Sequence, residues 1–257
     1  AAQAAPARPP LPGGTRRRVL RAGLAWTGVA VAAGLVAQRQ WPAAGLLADL
    51  RTGTGQRRDV LLADGSRLVM NARTAVDLRF DGAIRQLHLR EGELIVQVAA
   101  DPLRPFVVRT AEGRVQALGT RFLVRQNAGE TLALVLQHSV QLRAAGGAER
   151  TLREGEAARF SQARIGDVEA DAAAAASLAS WERGMLSAHD RPLAELIEAL
   201  RPYRRGFIRL SPEAGQLRVL GAFPLDDTDR ALDSLAQTLP IRPTRRGAWL
   251  VSTDVRQ

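Results

Sequence analysis

The sequence contains no cysteine and no lysine, and aromatic residues make up only 4% of its 257 residues. Without cysteine, the chain cannot form disulfide scaffolds, thiolate metal sites or cysteine nucleophiles. With so few aromatics, its core must consist mainly of Leu, Val, Ile and Ala, and a hydrophobic fraction of 46% is enough to build one. Because arginine supplies every long basic side chain, the missing lysine indicates codon bias rather than a device for binding.

The net charge of +10 is concentrated at the start of the chain. Residues 1–41 contain six arginines and no acidic residue, whereas basic and acidic residues are nearly balanced in the remainder. A mixed, balanced surface is typical of an ordinary solvated protein, while nucleic-acid binding requires a basic face or stripe. We therefore expect no nucleic-acid partner.

A nearly uncharged stretch follows the first arginines and has the length of a membrane-crossing helix. Residues 1–18 are interpreted as the remnant of a cytoplasmic linker, since the chain begins without Met and resembles a fragment or a processed form. Residues 19–37 would form a helix about 28 Å long, close to the hydrocarbon thickness of a bilayer. The residues expected to flank the membrane are Arg16, Arg17, Arg18, Arg21 and Trp41.

The basic residues before this stretch predict its orientation. Basic flanks favour the cytoplasmic side, so we expect a cytoplasmic N-terminus and everything after residue 41 outside the cytoplasm. Two alternatives stay open: residues 19–37 are a cleaved signal sequence, or they are a buried helix of a soluble protein. Residues 15–21 also resemble a twin-arginine export signal.

Residues 53–162 show the two-residue periodicity of β-strands. Leu87 and Leu89 alternate with polar neighbours, and Leu94 and Val96 repeat the pattern after a Glu-Gly-Glu turn. Glycine-containing turn signals recur between such stretches. We predict an all-β domain here, either a sandwich or a barrel-like fold.

Residues 181–254 mix helical and strand patterns, after a linker or bridging helix at 163–180. One amphipathic helix is expected to be capped by Asp190, and another by Asp226 or Asp227. With the flanking apolar stretches they give the order βαββαββ, a small α+β module. The fold class predicted from the sequence is thus one transmembrane helix, an all-β domain and this module.

No catalytic or metal-binding motif is present in the sequence. His88, His138 and His189 lie about 50 residues apart and share no ligand spacing. The chain has no G-x-S-x-G elbow, no H-E-x-x-H pair and no phosphate-binding glycine loop. We therefore expect no catalytic residues, no bound metal and no cofactor, and an enzyme of unknown type is only a second alternative.

Short patterns occur in a fixed order through the last two regions. In the β region they are Val60–Ser66, Val69–Ala72, Arg85–Leu89, Glu91–Glu93, Pro105–Val108, Val115–Phe122 and Leu152–Glu156. After the linker they are Trp181–Gly184, Pro192–Leu193 and Tyr203–Arg204. Each is weak alone, but their ordered occurrence over residues 53–252 resembles the FecR family. The βαββαββ order resembles the short domain of secretins and of the signalling extensions of TonB-dependent receptors.

The resemblance implies an inner-membrane signal transducer rather than an enzyme. FecR-like proteins relay a signal from an outer-membrane TonB-dependent transporter of ferric siderophores to a cytoplasmic sigma factor of the extracytoplasmic-function class. The output is transcription of iron-uptake genes. For this chain the resemblance implies periplasmic domains and an uncleaved membrane segment. The alternative is a secreted periplasmic binding or assembly module, with residues 19–37 as its cleaved signal.

Two features depart from the family pattern. The family has a cytoplasmic domain that contacts the sigma factor, and this sequence lacks it before residue 19, so that contact is expected through the missing domain. His138 stands in a turn where the family has Gly, which implies a left-handed backbone conformation at this position.

The C-terminal module is expected to bind the signalling domain of the transporter. A small module with open sheet edges can accept another strand or sheet. Alternation within residues 207–210 exposes either Phe207 and Arg209 or Ile208 and Leu210, and the arginine favours the first pair. We predict Phe207 and Arg209 as partner-binding residues, while a plain core strand is the simpler alternative.

Overall fold

The computed structural model describes residues 48–117, 119–246 and 250–255, and these residues are mostly β-structure. Strands β1 to β13 are Leu50–Arg51, Arg58–Leu61, Arg67–Met70, Ala75–Phe80, Arg85–Gln97, Phe106–Arg109, Gly113–Ala117, Arg121–Asn127, Glu130–Gln137, Ser139–Ala144, Glu149–Arg153, Glu156–Phe160 and Ile165–Ala170. The stretch 163–180, predicted as a linker or bridging helix, contains β13 and the helix α1 (Ala172–Leu178).

All of these strands belong to one 13-stranded sheet, which folds over until it is nearly closed. The first half of β5 pairs with β4 and β6, and its second half pairs with β3 and β8. The long strand β5 therefore runs through two layers and joins them. The first layer contains β1, β4, β6, β7, β10 and β11, and the second contains β2, β3, β8, β9, β12 and β13.

Gly92 lies in β5 where the strand passes from the first layer to the second. Its φ of 88° is in the left-handed region, which glycine adopts without steric cost. A β-carbon at this position would lie 2.6 Å from the carbonyl oxygen of Arg73. Both the conformation and the close approach of the β3–β4 connection therefore require glycine.

The two layers enclose a core formed by the inward-facing residues of each strand. Phe106, Phe122 and Phe160 are fully buried there. Phe80 packs edge-to-face on Phe106, with 6.0 Å between ring centroids. Most other members of the core are aliphatic, as the low aromatic content predicts.

One ion pair is buried in the sheet and ties the β2–β3 turn to the start of β5. Arg85 Nη1 lies 2.9 Å from Asp64 Oδ2, and each side chain is only 3% exposed. Arg85 Nη2 also donates to the carbonyl of Arg104 at 2.8 Å, while Ser66 Oγ donates to Asp64 at 2.6 Å. Burial alone would raise the pKa of Asp64, but the hydrogen bonds from Ser66 and Arg85 outweigh it and lower that pKa.

The second layer is buried on its outer face as well. Ile95, Leu123 and Leu134 belong to a second hydrophobic cluster on that face. The cluster continues into the C-terminal region (residues 181–255), which contributes Trp181 and Ile197 among others. The sheet is thus covered on this side by the end of the chain.

The C-terminal region contains two small sheets. Strands β14 to β18 are Met185–Pro192, Phe207–Leu210, Arg218–Pro224, Ile241–Arg246 and Leu250–Val255. Helices α2 to α4 are Leu193–Leu200, Pro212–Gly215 and Thr228–Thr238, with 3-10 helices at Ser180–Arg183 and Arg201–Tyr203. β14 pairs antiparallel with β16, whereas β18 pairs parallel with β15 and antiparallel with β17.

The starts of the two longer helices differ from each other. Asp227 caps α4, since its carboxylate accepts a hydrogen bond from the Arg230 N–H at 2.9 Å, as the sequence predicts. Asp190 does not cap α2, and that prediction is wrong. Its carboxylate instead pairs with Arg218 of the neighbouring strand β16 at 2.8 Å, and Pro192 precedes the helix without a side-chain cap.

The fold class predicted from the sequence, one transmembrane helix, an all-β domain and a βαββαββ module, is wrong. Within the described ranges no helix is long and apolar enough to cross a membrane. The longest of them, α4, has 11 residues, where a bilayer requires about 20. Residues 19–37 lie outside the described residues. The described chain is a nearly closed, mostly β structure, and its end packs on the sheet through a shared hydrophobic cluster.

Candidate functional site

The junction is the contact between the second layer of the sheet and the C-terminal region. The N–H of Gly55, in the loop before β2, donates to the carbonyl of Pro202 at 3.0 Å. Arg73, between β3 and β4, donates from Nη2 to the carbonyl of Arg204 at 3.3 Å. These bonds hold the 3-10 helix Arg201–Tyr203 against two loops of the sheet.

A buried polar network crosses the junction beside these backbone contacts. The hydroxyl of Tyr203 donates to Asn71 Oδ1. Asn71 Nδ2 donates to Glu93 Oε2 at 2.7 Å, and Arg125 Nη2 lies 2.7 Å from the other oxygen of Glu93. Asn71 Oδ1 also accepts the N–H of Ala72 at 2.8 Å. Both ends of the buried Asn71 amide are therefore satisfied, which specifies one arrangement of the two parts.

Arg57 adds a charged contact to the same network. Its guanidinium carbon lies 5.6 Å from the centre of the Tyr203 ring, within range of a cation–π interaction. Arg57 Nη2 also pairs with Asp226 Oδ1 at 2.9 Å. Burial raises the pKa of Tyr203 to about 12, although the neighbouring positive charge of Arg57 acts in the opposite direction. The tyrosine is thus a neutral donor at physiological pH.

A cleft of about 530 Å³ opens along the junction. Leu178, Leu186 and Leu196 give it an apolar wall, and Glu93 and Arg125 contribute charged groups. The volume lies within the range of small-ligand sites, but polar and charged residues make up more than half of the lining.

An unpaired donor is buried beside this cleft. Trp181 lines it and is 4% exposed. Its indole Nε1 has no hydrogen-bond partner among the described residues. A buried N–H without an acceptor is costly, so this position requires an explanation.

The predicted partner-binding residues lie elsewhere, on the outer face of the sheet formed by β15, β18 and β17. Ile208 is buried, whereas Phe207 is 37% exposed and Arg209 is exposed. The predicted alternation is therefore confirmed. β15 pairs only with β18 among the described strands. The role of Phe207 and Arg209 in binding stays a prediction.

The other predicted site residues have different outcomes. Arg16, Arg17, Arg18, Arg21 and Trp41 lie outside the described residues. His138 adopts a φ of 65°, which confirms the left-handed turn implied by the family pattern. Among the residues with described positions, no group of His, Asp or Glu side chains is arranged to hold a metal ion.

The fold is similar to that of solved proteins. Two crystal structures of a candidate anti-sigma factor from Parabacteroides distasonis ATCC 8503, at 1.65 Å and 2.50 Å resolution, superpose with TM-scores of 0.69 and 0.68. Each is 21% identical in sequence, and the match covers 81% of this chain and 99% and 98% of those chains. At this identity the likeness establishes the fold.

A family model matches part of the sequence itself. Residues 48–141 match the family model described as FecR protein. The resemblance found from short patterns is therefore confirmed over this part of the chain. None of the curated proteins matches the sequence significantly.

Proposed function

We propose that this protein is a non-enzymatic anti-sigma regulator that transmits a signal to a sigma factor. The observation that carries the proposal is the FecR match over residues 48–141. The likeness in fold to a candidate anti-sigma factor over 81% of the chain adds support. A protein of this kind works through contacts with partners, so it needs surfaces rather than a reactive centre.

A second, more specific proposal concerns the binding partners and the cellular location of the protein. We propose that the protein lies at the inner membrane with a cytoplasmic N-terminus and with residues 48–255 in the periplasm. Its periplasmic partner would be the signalling domain of a TonB-dependent transporter for ferric siderophores. Its cytoplasmic partner would be a sigma factor of the extracytoplasmic-function class, contacted from the N-terminal side, and the output would be transcription of iron-uptake genes.

The outer face of the sheet β15-β18-β17 is the surface proposed for the transporter. Helices α2 and α4 contribute to the hydrophobic cluster, so they pack on the buried face that holds Ile208 and leave the other face open. An exposed aromatic ring beside an arginine is a pair that often anchors interfaces. Phe207 and Arg209 provide such a pair on an edge strand, and the strand edge itself can accept main-chain hydrogen bonds.

Binding between purified proteins tests the partner surface. The affinity of the full chain for the signalling domain of a TonB-dependent transporter from the same organism would be measured. The variants Phe207→Ala and Arg209→Glu would then be compared with the wild type. We expect each variant to bind roughly tenfold or more weakly, with an unchanged melting temperature. Leu103→Ala and Arg150→Glu are matched controls, since both residues are exposed and lie away from this face, Leu103 in the β5–β6 loop and Arg150 in β11. Unchanged affinity of the first two variants would reject this strand as the contact.

Two further measurements test the proposed membrane orientation and the proposed effect on transcription. A periplasm-only reporter should be active when fused after Gly53 and inactive after Gly14, and the reverse pattern would contradict the proposed orientation. Deleting the gene should change transcription from promoters of an extracytoplasmic-function sigma factor. If no such promoter responds, the proposed regulatory function is wrong.

A further inference from the structure

The outer face of the first layer carries a row of arginines that lie directly opposite one another. Arg109 in β6 is opposite Arg114 in β7, and Arg114 is opposite Arg143 in β10. All three are exposed, and each has a strand neighbour in the core between the layers, namely Val108, Val115 and Leu142. Like charges directly opposite each other destabilise a sheet, so this row requires an explanation.

No acidic side chain neutralises the middle of the row. Arg109 and Arg114 form no ion pair or side-chain hydrogen bond within the described ranges. Glu112 lies in the turn between β6 and β7, but it is buried, and its Oε2 accepts from Gln126 at 2.6 Å and from Thr131 at 2.7 Å. Both guanidinium groups are therefore left to water or to a partner.

Positive charge also exceeds negative charge over the whole face. On β4, residues 85–90 of β5, β6, β7, β10 and β11, the outward positions hold six arginines: Arg79, Arg90, Arg109, Arg114, Arg143 and Arg153. The two acidic residues at these positions are Asp77, which pairs with Arg90 at 2.6 Å, and Glu149, which pairs with Arg143 at 3.0 Å. Residues 48–257 contain 30 arginines and 26 acidic residues, so 24 of each remain outside this set. The charge excess of this part of the chain thus equals the excess on this face.

The arginines are spread too widely for one small anion. Adjacent strands in a sheet lie about 4.8 Å apart, so the six strands from β4 to β11 span about 24 Å. A single phosphate or carboxylate contacts only a fraction of this width, whereas an extended surface with many anionic groups can face the whole row.

The path of the chain connects this face to an apolar stretch of the sequence. β1 pairs with β4, so residues 1–47 lead directly into the first layer. Residues 19–37 contain Arg21 as their only charged residue, and the chain from there to β1 extends over about 45 Å at most. At the membrane location proposed above, this short connection would keep the first layer within reach of lipid headgroups. A soluble acidic protein or a nucleic acid has no such tie to the face.

We propose that the outer face of the first layer docks on a lipid surface with anionic headgroups, with Arg109, Arg114 and Arg143 at the centre of the contact. Lipid phosphates would supply the negative charge that the row lacks, since a guanidinium binds phosphate through paired hydrogen bonds. The inference rests on the proposed location at the inner membrane. Because the C-terminal region packs on the second layer, this contact leaves the sheet that carries Phe207 uncovered.

A fluorescent label on the face tests the contact. The sequence has no cysteine, so Gln116→Cys in β7 gives the full chain one labelling site two residues after Arg114. The labelled chain is reconstituted in phosphatidylcholine vesicles with or without phosphatidylglycerol, and a lipid with a spin-labelled headgroup quenches any fluorophore near the surface. Phosphatidylglycerol should raise the ratio of docked to undocked chain at least about fivefold, the effect of one arginine at an anionic surface, and high salt should remove the difference. Gln237→Cys on α4 is the matched control and should stay unquenched in both vesicles.

Two double variants separate the row from the general charge of the protein. Arg109→Gln with Arg114→Gln should lower the docked ratio at least about tenfold. It should not lower the melting temperature, because it removes repulsion between opposite strands. Arg205→Gln with Arg230→Gln removes the same charge from exposed positions of the C-terminal region and should leave the quenching unchanged. Equal quenching in the two double variants would refute the role of the row.

Flotation with the vesicles distinguishes failure of this contact from failure of the proposed location. If the full chain does not float, the membrane location and the contact are both wrong. If it floats but the label at position 116 stays unquenched, or is quenched equally without phosphatidylglycerol, the location stands and the lipid contact is overturned. The row would then be assigned to an acidic protein surface.

Discussion

The hydroxyl of Tyr203 donates a hydrogen bond to Asn71, although 132 residues separate the two in sequence. Asn71 follows β3, and Tyr203 ends the 3-10 helix Arg201–Tyr203. Asn71 Nδ2 in turn donates a hydrogen bond to Glu93 Oε2 in β5 at 2.7 Å. One chain of hydrogen bonds therefore joins the C-terminal region to the middle of the sheet. The two parts are therefore coupled through polar groups as well as through the shared hydrophobic cluster.

Replacing Tyr203 with Phe should weaken this coupling. The variant keeps the ring but removes the donor, so we expect the free energy of unfolding to fall by about 1–2 kcal/mol. Denaturant unfolding at neutral pH, followed by circular dichroism, measures the change. The exposed Phe207→Leu variant serves as a control and should unfold within about 0.5 kcal/mol of wild type.

The same tyrosine predicts a loss of stability at alkaline pH. Its folded pKa is raised to about 12, whereas it is about 10 in an unfolded chain. Between these values the folded state keeps the proton and the unfolded state releases it, so stability is fully present below pH 10 and is lost as pH rises toward 12. Because Tyr203 is the only tyrosine in the sequence, tyrosinate absorbance reports it alone. A midpoint near 10 in the folded protein would contradict the prediction, and Tyr203→Phe should flatten the decline in stability.

The buried pair of Asp64 and Arg85 leads to a prediction at acidic pH. Arg85→Ala leaves the carboxylate of Asp64 buried without a partner, and we expect a loss of about 3–5 kcal/mol in the free energy of unfolding. Because the folded pKa of Asp64 is lowered, its contribution is present above the unfolded pKa and is lost as pH falls through the folded pKa. Asp64→Asn should therefore make stability less dependent on pH in this acidic range.

Arg218→Ala is the matched control for that experiment. It breaks the pair with Asp190, in which the side chains of Arg218 and Asp190 are 56% and 77% exposed, so the loss should be much smaller than for Arg85→Ala. If the two arginine variants lose equal stability in denaturant unfolding, burial is not what makes the Asp64–Arg85 pair important.

The sequence allowed prediction of features that depend on neighbouring residues. The alternation of Phe207, Ile208 and Arg209, the cap at Asp227 and the left-handed turn at His138 are local, and all three are present in the structure. The Tyr203–Asn71 contact could not be predicted, because nothing local pairs residues so far apart. The cleft was missed for the same reason, since its walls come from separate parts of the chain.

The sequence carries a signal for burial of the second layer on both faces. Leu94, Ile95 and Val96 are consecutive and all buried, as are Phe122, Leu123 and Val124. The alternation of Leu94 and Val96 alone predicts one buried face and does not account for the residues between such positions. A continuous apolar run is typical of a strand covered on both faces. Counting Ile95 and Leu123 as buried would have predicted that another part of the chain covers the sheet.

Removing the C-terminal region should therefore expose the sheet. Residues 48–170 alone would present Ile95, Leu123 and Leu134 to water, and we expect this fragment to bind a hydrophobic dye and to aggregate. Residues 48–257 should instead remain monomeric and unfold in one cooperative transition, since the cluster spans both parts. Size-exclusion chromatography and thermal unfolding compare the two. A monomeric, dye-free short fragment would show that the shared cluster is dispensable.

Replacing histidine with glycine should have opposite effects on stability at His138 and at His189. His138 has a φ of 65°, and a residue with a β-carbon pays about 1–2 kcal/mol in the left-handed region. His138→Gly removes that cost but gives the unfolded chain more freedom, worth about 0.4–1 kcal/mol, so we expect a net gain in stability of about 0.5 kcal/mol. His189 is also exposed, but it lies in β14 without a positive φ, so His189→Gly should lower stability by about 0.5–1 kcal/mol. Denaturant unfolding of both variants under the same conditions measures the two signs. A loss of stability at both positions would mean that the backbone of the turn does not determine the effect, and that a contact of the His138 side chain does.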